Sequence, residues 1–155
     1  MTRSKLRENI FKIVFRASFF ADEEMPEQVQ EYIKDIDEGV DKAGAAKSDS
    51  DAATEENDIE AEEARDIAYI KNKSDDILEK KDEIDKLIEG ASKGWSIKRI
   101  GRAELAILRV AVYEIRFDDD IPFKVAVNEA LELSKKYCEP EAGAFINGIL
   151  SSFAS

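Results

Sequence analysis

The chain has 155 residues, of which 43% are hydrophobic and 37% charged, and its formal net charge is −12. This length suffices to bury the core of one ordinary domain. Because the chain has no histidine and one cysteine, histidine-based catalysis, an internal disulfide and a structural zinc site are excluded. No apolar run approaches the ~18 residues of a membrane span, and the N-terminus does not resemble a signal peptide. We therefore expect a soluble cytoplasmic protein without a cofactor.

The acidic charge is concentrated in one part of the chain. Residues 37–66 carry 12 acidic against three basic side chains, a net charge of −9. Residues 1–20 carry five basic side chains against one acidic, a net charge of +4. Because the local field decides where a polyanion can dock, the acidic total does not exclude an RNA partner.

Apolar residues in the N-terminal half recur with a period near 3.6, which predicts helices. The first helix is predicted over residues 3–20, and Pro26 opens a second because proline suits a first helical turn. Over about residues 39–60 large apolar side chains nearly vanish. We predict a mobile acidic insertion there, because such a segment cannot offset its ordering entropy. Helix resumes over about residues 59–80.

The C-terminal half continues the helical pattern, and no stretch of the chain alternates convincingly with period 2, so an all-α fold is predicted. A short helix over residues 82–92 precedes a turn at 94–96. The tryptophan of that turn is predicted to cap the core, and its serine to cap a helix over 97–117. That helix is apolar nearly all round, which is typical of the central helix of a bundle. Two further helices are predicted to open at Pro122 and Pro140.

The first helix carries two stripes beside its apolar face. The first is a basic arc formed by Lys5, Lys12 and Arg16. The second is an aromatic row formed by Phe11, Phe15 and Phe19. Cations neutralise phosphates, and an aromatic edge beside them can stack an unpaired base. The pattern alone favours the alternative, in which the aromatic row packs against the second helix and the cations are merely solvated.

Several polar or aromatic positions in the C-terminal half have both a functional and a structural interpretation. We expect Arg109, on the most apolar helix, to pair with a carboxylate, because a buried charge requires a partner. Asn128 and Glu129 have no accompanying nucleophile or base, so hydrogen bonding between helices is favoured. Glu141 and Phe145 lie near the start of the last helix, where free backbone N–H groups favour anions. For Phe145 the periodicity favours neither base stacking nor packing in the core over the other.

Three segments of the chain resemble, in the correct order, blocks of the NusB family of transcription antitermination factors. The segment DDDIPFKVAVNEALELSKKYCEPEAGAFINGIL, residues 118–150, is similar to the family's C-terminal signature. IDKLIEGASKGWSIKRIGRAELAILRVAVYEI, residues 84–115, and SKLRENIFKIVF, residues 4–15, resemble its central and N-terminal blocks. The resemblance implies an all-α fold of about seven helices in two small packed bundles.

The resemblance and a change in composition near residues 80–85 together predict the domain organisation. Residues 1–155 form a single NusB-like domain. Its N-terminal subdomain covers about residues 1–81 and contains the acidic insertion, and its C-terminal helical subdomain covers about residues 82–155.

The resemblance also implies a function. NusB proteins are non-enzymatic factors that bind boxA-like single-stranded RNA together with the ribosomal protein NusE in antitermination complexes on ribosomal-RNA operons. Carried over residue by residue, the RNA-binding positions are Arg3, Lys5, Arg7, Phe15, Glu141 and Phe145. Ser4 interrupts the consecutive arginines with which the family often opens, and this departure predicts weaker RNA affinity.

Two other functions are open from the sequence. The first is a helical protein–protein interaction module without RNA binding, which the net acidity favours. The second is a NusB-like domain related to ribosomal-RNA cytosine methyltransferases, although the chain lacks a glycine-rich cofactor loop. The sequence does not decide whether the free protein is a monomer or a homodimer, and some members of the family self-associate.

Overall fold

The computed structural model describes residues 1–44 and 52–154. Within these ranges the chain forms seven α-helices and two short 3₁₀ helices, so the predicted all-α fold with about seven helices is confirmed. The α-helices are α1 Arg3–Arg16, α2 Met25–Gly44, α3 Ala52–Glu79, α4 Lys81–Ala91, α5 Arg102–Phe117, α6 Phe123–Tyr137 and α7 Ala142–Ser151. The 3₁₀ helices are Asp22–Glu24 and Ile97–Arg99.

The predicted start of the central helix at residue 97 is wrong. Residues 97–99 form a 3₁₀ turn, and Ile100 is extended, with φ −80° and ψ 134°. This extended residue interrupts the helix and places its own side chain in the core, where it is 6% exposed. The helix α5 then begins after Gly101, and Ser96 makes no side-chain capping hydrogen bond.

The acidic insertion predicted over residues 39–60 is helical at both of its ends. The helix α2 continues to Gly44, and α3 begins at Ala52 instead of near residue 59. Alanine and glutamate dominate the first turns of α3, and both are strong helix formers, which accounts for the earlier start. Residues 45–51 lie outside the described residues, and the mobility of the insertion stays a prediction.

The helix α5 is central, as its apolar pattern predicts. It packs against α1, α3, α4, α6 and α7, and every side chain from Leu105 to Glu114 is buried. The helices α1, α2 and α3 also pack on one another, and a continuous apolar core runs through all seven helices. Because α1 packs directly on α5, side chains from the N-terminal and C-terminal halves of the chain meet between these helices.

Arg109 pairs with a carboxylate, as predicted. Its Nε and Nη2 atoms donate to Oδ1 and Oδ2 of Asp85, both at 2.8 Å, and its side chain is 6% exposed. The pair joins α5 to α4. The prediction of inter-helix hydrogen bonding is confirmed for Glu129, which accepts a hydrogen bond from Ser4 Oγ on α1 at 3.0 Å. It is wrong for Asn128, whose side chain is exposed to solvent.

Candidate nucleic-acid interface

The first turn of α1 presents two exposed cations. Thr2 Oγ1 accepts a hydrogen bond from the Lys5 backbone N–H at 3.1 Å, which starts the helix at Arg3. The side chains of Arg3 and Lys5 are both exposed. Two of the predicted RNA-binding cations are thus accessible to a phosphate.

Arg7, the third predicted cation, is not a surface residue. Its side chain is 8% exposed and pairs with Glu114 on α5, with Nη2 donating to Oε2 at 2.7 Å and Nε to Oε1 at 3.0 Å. Its Nη1 lies 3.5 Å from Oε2 of Glu129 on α6. Burial raises the pKa of the Glu114 carboxyl, although the Arg7 guanidinium opposes this shift. Arg7 therefore joins three helices, because α5 and α6 cover its side of α1. The expectation that its guanidinium is exposed for RNA binding does not match this burial.

A buried carboxylate lies within the basic arc of α1. The side chain of Glu8 is 9% exposed and accepts hydrogen bonds from Nζ of Lys5 at 2.9 Å and from Nζ of Lys136 at 2.6 Å. Nζ of Lys12 lies 4.0 Å from the same carboxylate. Burial alone would raise the pKa of Glu8, but the hydrogen bonds from Lys136 and Lys5 lower it to about 2. Glu8 is therefore ionised at neutral pH and holds lysines from both ends of the chain.

The aromatic row of α1 changes from core to surface along the helix. Phe11 is 3% exposed and packs on Tyr137 of α6, with ring centroids 4.9 Å apart. Phe15 is half-buried, and its ring centroid lies 5.0 Å from that of Phe19, which is 52% exposed. Phe11 therefore belongs to the core, although its partner is on α6 and not on the second helix. The rings of Phe15 and Phe19 are partly exposed to solvent, and base stacking on them stays a prediction.

A second aromatic pair lies at the start of α7. The half-buried ring of Phe145 meets Trp95 edge to face, with centroids 5.9 Å apart. Trp95 is 51% exposed, so the prediction that it caps the core is wrong. Both rings line a cavity of about 300 Å³ together with Glu141, which is exposed and makes no capping hydrogen bond. Arg99, Glu104 and Glu139 complete the charged lining, so acidic groups outnumber basic ones here. The cavity thus offers stacking surfaces and hydrogen-bond acceptors to an unpaired base, whereas phosphates must be bound elsewhere.

Arg102 connects the two aromatic groups. Its guanidinium carbon lies 4.6 Å from the ring centroid of Phe19, and the preceding residue, Gly101, lines the cavity beside Phe145. The residues Phe19, Arg102 and Gly101 thus form a path from Phe15 to the cavity that Phe145 lines. That they bind one RNA strand stays a prediction.

A separate cleft of about 410 Å³ lies on the other side of α1, between α3 and α6. Its lining includes Arg3 and Lys73, but also Asp118, Asp120 and Glu129. Lys73 donates a hydrogen bond to Asp118, so part of the positive charge is neutralised within the cleft. Because the two signs of charge alternate along it, this cleft offers a polyanion no continuous positive field.

Sequence reasoning missed three residues of the interface. Lys136 is 128 positions from Glu8 in the sequence, so only the fold brings the two together. Arg102 was assigned to the interior of a helix that in fact begins there. Trp95 lies in the central family-like block, and its position in a turn was the available signal for exposure.

In the part of the chain that the structure describes, no group of three or more histidine, cysteine, aspartate or glutamate side chains could hold a metal ion. None of the described helices is long and apolar enough to cross a membrane.

Comparison with known proteins decides the family. The sequence model of the NusB family matches residues 4–155. The chain belongs to the NusB family. It is 43% identical to the transcription antitermination protein NusB of Agathobacter rectalis over 154 residues, covering 99% of this chain and all of that protein. The NusB family is a non-enzymatic family of transcription antitermination factors.

Solved structures give the same result for the fold. The structure is similar to that of NusB from T. maritima, with a TM-score of 0.75 and 27% identity, covering 99% of this chain and 91% of the other. A protein chain from a structure described as a plectonemic RNA supercoil is 26% identical, with a TM-score of 0.70, covering 98% of this chain and 94% of that one. The chain therefore has the NusB fold over nearly its whole length.

Proposed function

We propose that this NusB-family protein binds boxA-like single-stranded RNA together with the ribosomal protein NusE, as part of a cytoplasmic antitermination complex on ribosomal-RNA operons. One observation carries the proposal. Exposed Lys5 and Lys136 share the Glu8 carboxylate beside the ring of Tyr137, which packs on Phe11 of the aromatic row. The row continues through Phe15 and Phe19 to Arg102, and the preceding Gly101 lines the cavity at the start of α7. Such a surface suits a single strand, because the cations neutralise phosphates and the rings stack unpaired bases.

Each part of the surface has its own role. Lys5 binds a phosphate beside the aromatic row, Arg3 binds one at the start of α1 where it lines the neighbouring cleft, and the rings of Phe15 and Phe145 stack bases. The carboxylate of Glu141 accepts hydrogen bonds from base amino groups or from a ribose hydroxyl, because an ionised carboxylate can only accept. Arg7 takes a positioning role, since its pairing with Glu114 sets the orientation of α1 on α5. The occurrence of a similar protein chain in a structure of an RNA supercoil supports an RNA partner.

The central test is a titration of a boxA-like RNA oligonucleotide with and without NusE. We expect binding by the protein alone and tighter binding when NusE is present, because the two proteins would share one strand. A module that binds only protein would bind NusE but leave the affinity for RNA at background. The measurement is fluorescence anisotropy at several salt concentrations, with a scrambled oligonucleotide as the control.

Replacement of the stacking residues tests the predicted surface. Phe145→Ala and Phe15→Ala should each weaken the RNA complex by ~1–3 kcal/mol, which is the value of stacking one base. The salt dependence of binding should be nearly unchanged, because neither residue contacts a phosphate. Phe117→Ala serves as the matched control, since Phe117 packs partly buried against Tyr113. If the control loses as much RNA affinity as Phe145→Ala, the assignment of Phe145 to the RNA surface is wrong.

A further inference from the structure

Three lysines surround the Glu8 carboxylate, whereas one ion pair requires only one of them. Lys5, Lys12 and Lys136 surround a single carboxylate, so this lysine cluster keeps a net charge of +2. Their side chains are 55%, 42% and 58% exposed, respectively, whereas that of Glu8 is only 9% exposed. Each ammonium has three N–H donors, of which Glu8 engages one on Lys5 and one on Lys136, whereas Lys12 lies 4.0 Å away and makes no hydrogen bond. The remaining donors face solvent and are free to bind an anion.

The position of the lysine cluster relates it to the aromatic row. Nζ of Lys136 lies 5.7 Å from the ring centroid of Tyr137, and that ring packs on Phe11 at 4.9 Å. Phe11 in turn lies 6.0 Å, centroid to centroid, from Phe15, the first ring of the row that reaches solvent. An anion bound by Lys136 is therefore separated from Phe15 by two packed rings, those of Tyr137 and Phe11.

We propose that Glu8 gathers Lys5, Lys12 and Lys136 into one phosphate-binding site for single-stranded RNA, in which Lys136 is an RNA contact and Glu8 a positioning residue. This inference rests on the proposed RNA-binding function. An unrestrained lysine must be immobilised when it binds, and that ordering costs affinity. The buried carboxylate restrains the ammonium groups before RNA arrives, at the cost of one unit of positive charge. The site also spans α1 and α6, so it forms only in the folded protein.

The first test removes Lys136 and compares it with an equivalent lysine elsewhere. Lys71 on α3 is 49% exposed and is also paired with a carboxylate, Asp75, at 2.6 Å. Lys136→Met should reduce the magnitude of the slope of log K against log salt by about 0.7, the value for one phosphate of a single strand. A fourfold rise in salt should therefore weaken the variant about 2.5-fold less than the parent protein. Lys71→Met should leave the slope as in the parent.

The second test uses the sign of the effect of Glu8→Gln. If the lysines act only as a diffuse positive field, removal of a carboxylate makes the surface more basic and RNA binding becomes tighter. If Glu8 positions them, binding becomes weaker by roughly 2- to 10-fold, which corresponds to the ordering of one lysine side chain. Asp75→Asn changes the net charge equally and should not weaken binding. Circular dichroism establishes that each variant is folded before RNA is added.

The outcomes separate this inference from the proposed function. If the parent protein binds no boxA-like RNA with or without NusE, both fall together. If the parent binds but Lys136→Met behaves as Lys71→Met, or Glu8→Gln binds more tightly, only the phosphate site is overturned. Should Glu8→Gln fail to fold, the comparison of Lys136→Met with Lys71→Met decides the matter alone.

Discussion

Arg7→Ala is expected to lower the free energy of unfolding by about 3–5 kcal/mol, the cost of breaking a buried ion pair by removing one partner. The substitution leaves the Glu114 carboxylate, 8% exposed, without the guanidinium that donates to both of its oxygens. Burial already raises the pKa of Glu114, and loss of Arg7 raises it further. When a carboxyl has a higher pKa in the folded than in the unfolded state, the folded protein loses stability as pH rises through the folded-state pKa. The destabilisation should therefore be smaller at acidic pH, as urea denaturation across pH would show.

Two variants control for other effects of removing Arg7. Arg3→Ala removes an exposed cation of the same helix and should change stability by no more than about 0.5 kcal/mol. The double replacement of Arg7→Met with Glu114→Leu should recover most of the lost stability, because no buried charge is left unpaired. A melting temperature of Arg7→Ala equal to that of Arg3→Ala would contradict the assignment of Arg7 to the core.

Arg109→Ala is expected to lower the free energy of unfolding by about 3 kcal/mol, the lower end of the range for a buried pair. Its partner Asp85 is 19% exposed, so water can partly solvate the carboxylate that the substitution leaves behind. The loss should thus be smaller than that for Arg7→Ala. Thermal denaturation followed by circular dichroism measures both variants under the same conditions.

The matched control for Arg109 is Arg116 on the same helix. Arg116 is exposed, and its guanidinium carbon lies 5.1 Å from the ring centroid of Phe153, a contact worth about 0.5–1 kcal/mol at an exposed site. Arg116→Ala should therefore destabilise the protein by less than Arg109→Ala. Equal losses for the two variants would mean that the Arg109–Asp85 pair contributes no more than a surface contact.

The sequence carried less information about Arg7 than about Arg109. The periodicity of α5 is apolar on nearly every side, so any charge within it had to be buried and paired. The helix α1 reads as amphipathic, and a helical wheel placed Arg7 outside its apolar stripe. In the fold α1 packs against α2, α3 and α5, and all side chains from Leu6 to Phe11 are buried. A wheel gives the direction of a side chain but not the element that covers it.

Four features could be predicted from the amino-acid sequence alone: the all-α class, the central position of α5, the pairing of Arg109 with a carboxylate and the resemblance to the NusB family. These follow from local periodicity, from the cost of an unpaired buried charge and from residue types at fixed spacing. The burial of Arg7 against Glu114 and the meeting of Lys136 with Lys5 at Glu8 could not be predicted before the packing of the helices was known. These partners are 107 and 128 positions apart from the α1 residues they contact. Such contacts depend on how α1, α5 and α6 pack, and no local pattern in the sequence encodes that packing.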